Sequence, residues 1–128
     1  MLVIDDNEEP RREIRKMLEA LVGAKVMEAE SSSQAFELAT QQDFDLVTSD
    51  LTRAPMDGFK FLPVFTKLRP TVPVIILSTA LHGNNKEFVR QLGAFACIEK
   101  PVTFEQLREV VEDALGLKSQ PVWRDPWA

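Results

Sequence analysis

Val74-Ile75-Ile76-Leu77, followed by Ser78 and Thr79, is apolar at four consecutive positions. A strand with one wet face alternates apolar and polar residues, whereas a strand covered on both faces is apolar throughout. Val72 to Leu77 therefore predicts a strand inside a parallel sheet, with helices packed above and below it. Three other short runs share its form. Met1-Leu2-Val3-Ile4 ends at Asp5-Asp6, Phe44 to Ser49 ends at Asp50, and Phe95 to Glu99 ends at Lys100-Pro101. A fifth, less apolar strand is predicted over Ala24 to Ala29.

Between these runs the apolar spacing changes to three and four, the mark of a helical face. Ile14, Met17, Leu18, Leu21 and Val22 place a helix over Glu8 to Val22. Asn7 is its expected cap, Pro10 falls in the first turn where a missing N–H costs little, and Gly23 ends it. Ser31 with Gln34 reads as a capping box opening a helix through Ala35, Leu38 and Ala39. Thr103 with Gln106 reads the same way before Phe104, Leu107, Val110, Val111, Ala114 and Leu115. Asn84 or Asn85 caps a short helix to Leu92, closed by Gly93. Asp57-Gly58 looks like a further helix start, but Pro63 follows six positions on. That proline predicts a kink, or a regular helix beginning only near Phe61.

Strand and helix alternate five times with short connections. The pattern implies a right-handed, doubly wound α/β domain with a parallel sheet and helices on both faces. The domain is expected over residues 1–117. Lys118 to Ala128 holds Pro121, Pro126, Trp123 and Trp127 without periodicity, and reads as a tail or the start of a linker.

Open parallel sheets bind ligands at the carboxyl ends of their strands. That edge would collect Asp5, Asp6, Asp50, Ser78 and Lys100. Each alone is ordinary: acid pairs sit in solvated loops, Asp is common at strand ends, Ser78 alone reads as a cap, and Lys-Pro as a turn. Together, three carboxylates, a hydroxyl and an ammonium can hold a divalent cation and accept a phosphoryl group.

Composition narrows the setting. At 128 residues, 45% apolar and 27% charged, the chain has the size and make-up of one globular domain. No apolar run approaches the roughly 20 residues that cross a bilayer, and the amino terminus lacks the features of a signal peptide. A single cysteine, Cys97, excludes an internal disulfide and fits a reducing compartment, so a cytoplasmic location is expected. The net charge of −5, with no basic cluster, predicts no direct binding of nucleic acid or anionic membrane.

Across roughly Met1 to Leu117 the chain resembles the receiver domain of two-component response regulators. The matching residues are Val3-Ile4-Asp5-Asp6-Asn7, Asp50 after its apolar strand, Met56-Asp57-Gly58, Pro73-Val74-Ile75-Ile76-Leu77-Ser78, and Gly93-Ala94 through Lys100-Pro101. The resemblance implies a flavodoxin-like fold with strand order 2-1-3-4-5. It implies Asp50 as the phosphoacceptor, with Mg²⁺ held by Asp6, Asp50 and the backbone carbonyl of Thr52, and by Asp5 mostly through water. Ser78 would contact one phosphoryl oxygen and Lys100 another. The implied donor is a phosphohistidine on a sensor histidine kinase or a phosphotransfer protein. The implied role is a regulatory switch with slow autodephosphorylation rather than an enzyme.

The chain departs from the family pattern at four places. Arg53-Ala54 replace the usual Met-Pro, with Pro55 one place late. Thr52 occupies a position that tunes water attack on the acyl phosphate. Thr79 replaces a smaller residue. Cys97 stands where Tyr or Phe usually reports phosphorylation by rotating. Cys97 itself reads as a small strand residue and His82 as a loop residue. Two other readings remain: a receiver-fold interaction scaffold whose phosphorylation site is idle, and a metal-dependent phosphohydrolase using Asp50. Thr52, where such hydrolases commonly carry a second acid, argues against the last. The early position of Asp5 and the Trp-containing tail allow an excised domain of a larger protein.

Overall fold

A computed structural model describes residues 1–23, 25–50, 57–79 and 84–116. The order is β1 (Leu2–Ile4), α1 (Glu8–Val22), β2 (Met27–Ala29), α2 (Ser32–Gln41), β3 (Val47–Asp50), α3 (Asp57–Leu68), β4 (Val74–Ser78), α4 (Asn84–Gln91), β5 (Ala96–Glu99) and α5 (Phe104–Leu115). The five strands form one sheet in the order β2-β1-β3-β4-β5, and every pairing is parallel. The flavodoxin-like expectation is met.

Alternation along the strands builds two cores. Leu2, Ile4, Val47, Val74, Ile76 and Cys97 belong to one cluster, with Ala35 and Ala39 of α2, Phe61, Leu62 and Phe65 of α3, and Val89 of α4. Val3, Ile75, Leu77 and Ile98 belong to the other, with Ile14 and Leu18 of α1 and Leu107 and Val111 of α5. Both faces are dry, which is why β4 reads as unbroken apolar sequence.

The strands are shorter than the apolar runs that announce them. Phe44 is buried ahead of β3 and Val26 ahead of β2, outside the strands themselves, and Leu46 joins the ladder only through its carbonyl, which accepts from the Leu2 N–H at 3.0 Å. Helix ends follow local chemistry. Thr103 Oγ1 accepts from the Gln106 N–H and Gln106 Oε1 from the Thr103 N–H, a complete capping box. At α2 the box is displaced: Ser31 Oγ accepts from Gln34 N–H, but Gln34 Oε1 accepts from the Glu30 N–H. Asn7 occupies the cap position of α1, yet its side chain makes no capping bond. Separately, the Asp5 carboxylate accepts the Asn7 N–H at 2.9 Å.

Of the two outcomes expected of Pro63, a kink or a start near Phe61, the late start is not what the fold shows. The helix runs from Asp57 to Leu68 with Pro63 inside it. An interior proline costs about 3 kcal/mol. Phe61, Leu62 and Phe65 are each at most 1% exposed. Burying three such side chains is worth about 1.5–3 kcal/mol apiece, which outweighs the proline. Phe61 also lies 4.9 Å from the Phe36 ring of α2 and 5.1 Å from Phe65, tying the segment to its neighbours.

Candidate functional site

The strand register brings the predicted residues to one edge. Ile4 pairs with Ser49, and Asp50 with Leu77, so Asp5 and Asp50 leave adjacent strands at the same level. Ser78 pairs with Glu99, which puts Lys100 one residue beyond it. Two further bonds extend the ladders past the strand ends. Asp5 N–H donates to the Ala29 carbonyl at 3.0 Å, and Lys100 N–H to the Ser78 carbonyl at 2.9 Å. The Lys100–Pro101 peptide bond is cis.

Asp5, Asp50 and Ser78 are buried, while Asp6 is exposed at the rim. One carboxylate oxygen from each of Asp5, Asp6 and Asp50 lies within 4.8 Å of the other two. Lys100 Nζ stands 3.1 Å from Asp50 Oδ2 and 3.5 Å from Asp5 Oδ2. Burial pushes the Asp5 carboxyl above its ordinary range. The Asn7 N–H opposes that rise, the Asp50 charge adds to it, and Lys100 opposes it.

This donor set fits a hard divalent cation. Mg²⁺ takes oxygen ligands, usually one or two carboxylates with water, and it relieves repulsion between clustered acids. The neighbouring ammonium leaves the pocket able to neutralise a transferred phosphoryl group as well. An apolar cleft of about 300 Å³ between α2 and α3, lined by Phe36, Ala39, Val64, Phe65 and Leu68, includes none of these residues.

The three carboxylates and the Lys100 ammonium are thus close neighbours, and the β4 register places Ser78 at the same sheet edge. Thr79, the residue after β4, is exposed, and Cys97 is buried in the α2–α3–α4 core. The expectations for Thr52, for Arg53-Ala54-Pro55, for His82 and for the segment 118–128 lie outside the described residues. The sequence reading missed Arg11, whose Nη1 donates to the Asp5 carbonyl at 3.0 Å. Its only sequence signal is its place one helical turn past Asn7, on the side of α1 that returns toward β1.

Known proteins match this chain closely. The family described as response regulator receiver domain matches residues 1–112. The transcriptional regulatory protein GlrR of Escherichia coli K12 is 35% identical over 107 residues, 82% of this chain and 23% of that protein. Protein-glutamate methylesterase/protein-glutamine glutaminase 1 of Myxococcus xanthus is 34% identical over 110 residues, 84% of this chain and 32% of that protein. The chain thus spans between about a quarter and a third of these two relatives' lengths. Among solved structures, a response regulator receiver domain protein from Clostridium thermocellum superposes with TM-score 0.80 at 31% identity, covering 91% of this chain and 93% of that one. The receiver domain of NtrX from Brucella abortus gives 0.80 at 29% identity, covering 91% and 98%.

Proposed function

The chain belongs to the response regulator receiver domain family of two-component systems, and from that premise we propose that Asp50 accepts a phosphoryl group from a phosphohistidine. The donor would be a sensor histidine kinase or a phosphotransfer protein, and the setting cytoplasmic. The observation that carries this reading is the contact of Lys100 Nζ with Asp50 Oδ2 at 3.1 Å, beside two more carboxylates.

In this reading an Asp50 carboxylate oxygen forms a bond to phosphorus as the phosphorus–nitrogen bond of the donor breaks, and the imidazole departs with the donor. Lys100 swings its ammonium from the carboxylate to a phosphoryl oxygen. The buried Ser78 hydroxyl donates to another. Asp5, Asp6, Asp50 and the Thr52 carbonyl would hold Mg²⁺, which when bound supplies positive charge to the phosphoryl oxygens. The protein's contribution is position and field.

The phosphorylated and free forms then differ in the surface offered to an output partner, and the domain regulates rather than turns over substrate. The idle-scaffold alternative has no observation in its favour, because the acids, the hydroxyl and the ammonium are all retained at one edge. Incubation with acetyl phosphate and Mg²⁺ should add one phosphoryl group by intact mass, absent in Asp50→Asn. Full labelling of that variant would overturn the assignment.

A further inference from the structure

Arg11 lies outside the groups that handle phosphate, yet it is fastened to the segment that carries two of them. Its Nη1 donates to the main-chain carbonyl of Asp5 at 3.0 Å, and its Nε to Glu28 Oε1 at 2.7 Å. Glu28 is the middle residue of β2, and its Oε2 lies 3.0 Å from Arg15 Nη1. The Arg11 and Glu28 side chains are only 14% and 22% exposed. The carbonyl that Arg11 grips belongs to the peptide joining Asp5 to Asp6. That turn is held at two more points, by Asp5 N–H on the Ala29 carbonyl and by Asp5 Oδ1 on the Asn7 N–H.

We propose that Arg11, braced by Glu28, is a positioning residue for divalent-cation binding: it fixes the Asp5–Asp6 peptide so that both carboxylates stay gathered beside Asp50. This inference rests on the metal reading given above. Without a cation, mutual repulsion of the three acids drives this turn to open, and rotation of that one peptide is its easiest response. Arg11 serves its two acceptors from two nitrogens of a planar fork, Nε and Nη1, whereas an ammonium would have to reach both from a single nitrogen. Groups that orient metal ligands in this way commonly govern affinity about 10- to 100-fold.

A competing effect has the opposite sign. The positive charge of Arg11 repels an incoming cation, so its removal would tighten binding if charge alone mattered. Glu28 neutralises much of that charge, which leaves orientation as the larger effect. Arg12 separates the two. It carries the same charge one residue on, but it pairs with Glu8 in solvent and does not touch the Asp5–Asp6 peptide.

The test is calorimetric titration of Mg²⁺ into the whole chain without a phosphodonor, for wild type, Arg11→Lys, Arg11→Ala and Arg12→Ala. We expect the Mg²⁺ Kd to rise about tenfold in both Arg11 variants and to stay within about twofold of wild type in Arg12→Ala. With acetyl phosphate, the half-saturating Mg²⁺ concentration should rise for Arg11→Lys while the plateau rate holds. A merely structural role would lower the melting temperature and leave Kd unmoved. Arg11→Lys keeps the charge and the stem, so it decides the matter if Arg11→Ala fails to fold. Wild-type binding with an unchanged Kd in Arg11→Lys overturns this inference alone. No Mg²⁺ binding by wild type overturns the metal reading, and this inference with it.

Discussion

Lys100 reaches Asp50 across an intervening strand: its Nζ lies 3.1 Å from Asp50 Oδ2, although β4 separates β3 from β5. The flexible stem makes this span, and the Lys100 N–H bonded to the Ser78 carbonyl fixes where the stem begins. One ammonium therefore compensates two buried carboxylates, since Asp5 Oδ2 is 3.5 Å away.

Lys100→Met should keep the fold and slow phosphoryl uptake about 100-fold, the usual effect of deleting one preorganised charge from a reacting centre. Intact-mass time courses with acetyl phosphate and saturating Mg²⁺ measure it. A rate close to wild type would show that Lys100 is not a phosphoryl contact.

Mg²⁺ should raise the melting temperature of the wild-type chain, because a ligand bound only by the native state stabilises it, by about 2.7 kcal/mol at a hundredfold excess over Kd. Asp50→Asn should weaken this response and raise metal-free stability by relieving repulsion. Thermal melts with and without Mg²⁺ check both; a wild-type melt indifferent to Mg²⁺ would count against the acidic pocket.

The raised Asp5 carboxyl sets the sign of a pH dependence. The native state holds this proton more tightly than the unfolded chain, whose group titrates near 3.8. Its contribution to metal-free stability is therefore full below 3.8 and declines as pH rises through the native value. If Mg²⁺ binds the carboxylate as proposed, its stabilising effect should grow over the same interval. Urea melts from pH 3.5 upward, with and without Mg²⁺, should converge at the acid end (about pH 3.5, just below the free-carboxyl value) and diverge above it. Parallel curves would remove Asp5 from the metal site.

Gly93→Ala should be costly for two separable reasons. Gly93 has φ +111°, and a Cβ there would stand 2.9 Å from Thr66 Cγ2 and Oγ1 on α3. Backbone strain of this kind is worth about 1–3 kcal/mol. Adding Thr66→Ala would leave the Cβ of residue 66 3.1 Å away, so only part of the loss should return. Urea unfolding of the single and double variants measures the split; a Gly93→Ala chain as stable as wild type would contradict the turn geometry.

How much of this was legible in the sequence depends on the range of the interaction that decides each feature. Strand order, helix faces and the gathering of Asp5, Asp6, Asp50, Ser78 and Lys100 follow from periodicity and from the family pattern, and all appear in the fold. Strand lengths were overread because an apolar residue signals burial and not pairing, as Phe44 and Val26 demonstrate. Pro63 does not delay the start of α3, because local propensity is smaller than the burial of Phe61, Leu62 and Phe65. The Asn7 side chain makes no cap bond, and the third helical position, a usual donor to a cap, is Pro10, which has no N–H to give. Arg11 was invisible because its partner Glu28 is 17 positions away and meets it only through the β1–β2 register.

The output route can be tested at Cys97. This buried side chain occupies the level of Ile76 on β4, in the same core cluster as Val89 of α4, and it lacks the volume of the aromatic usual in the family. A rotating ring therefore cannot relay a change at Ser78. On the proposed function, movement of α4 is the route to test from the phosphoryl group to that face. Asn84 and Asn85, the first two residues of α4, favour an easily shifted helix end. Phosphorylation, or a beryllofluoride mimic, should change amide exchange most within residues 79–92, and Cys97→Ala should leave that change nearly intact. If Cys97→Ala abolished it while Asp50 was still phosphorylated normally, the side chain would be the relay after all. If wild type showed no phosphate-dependent exchange in this segment, the idle-scaffold reading would displace the switch.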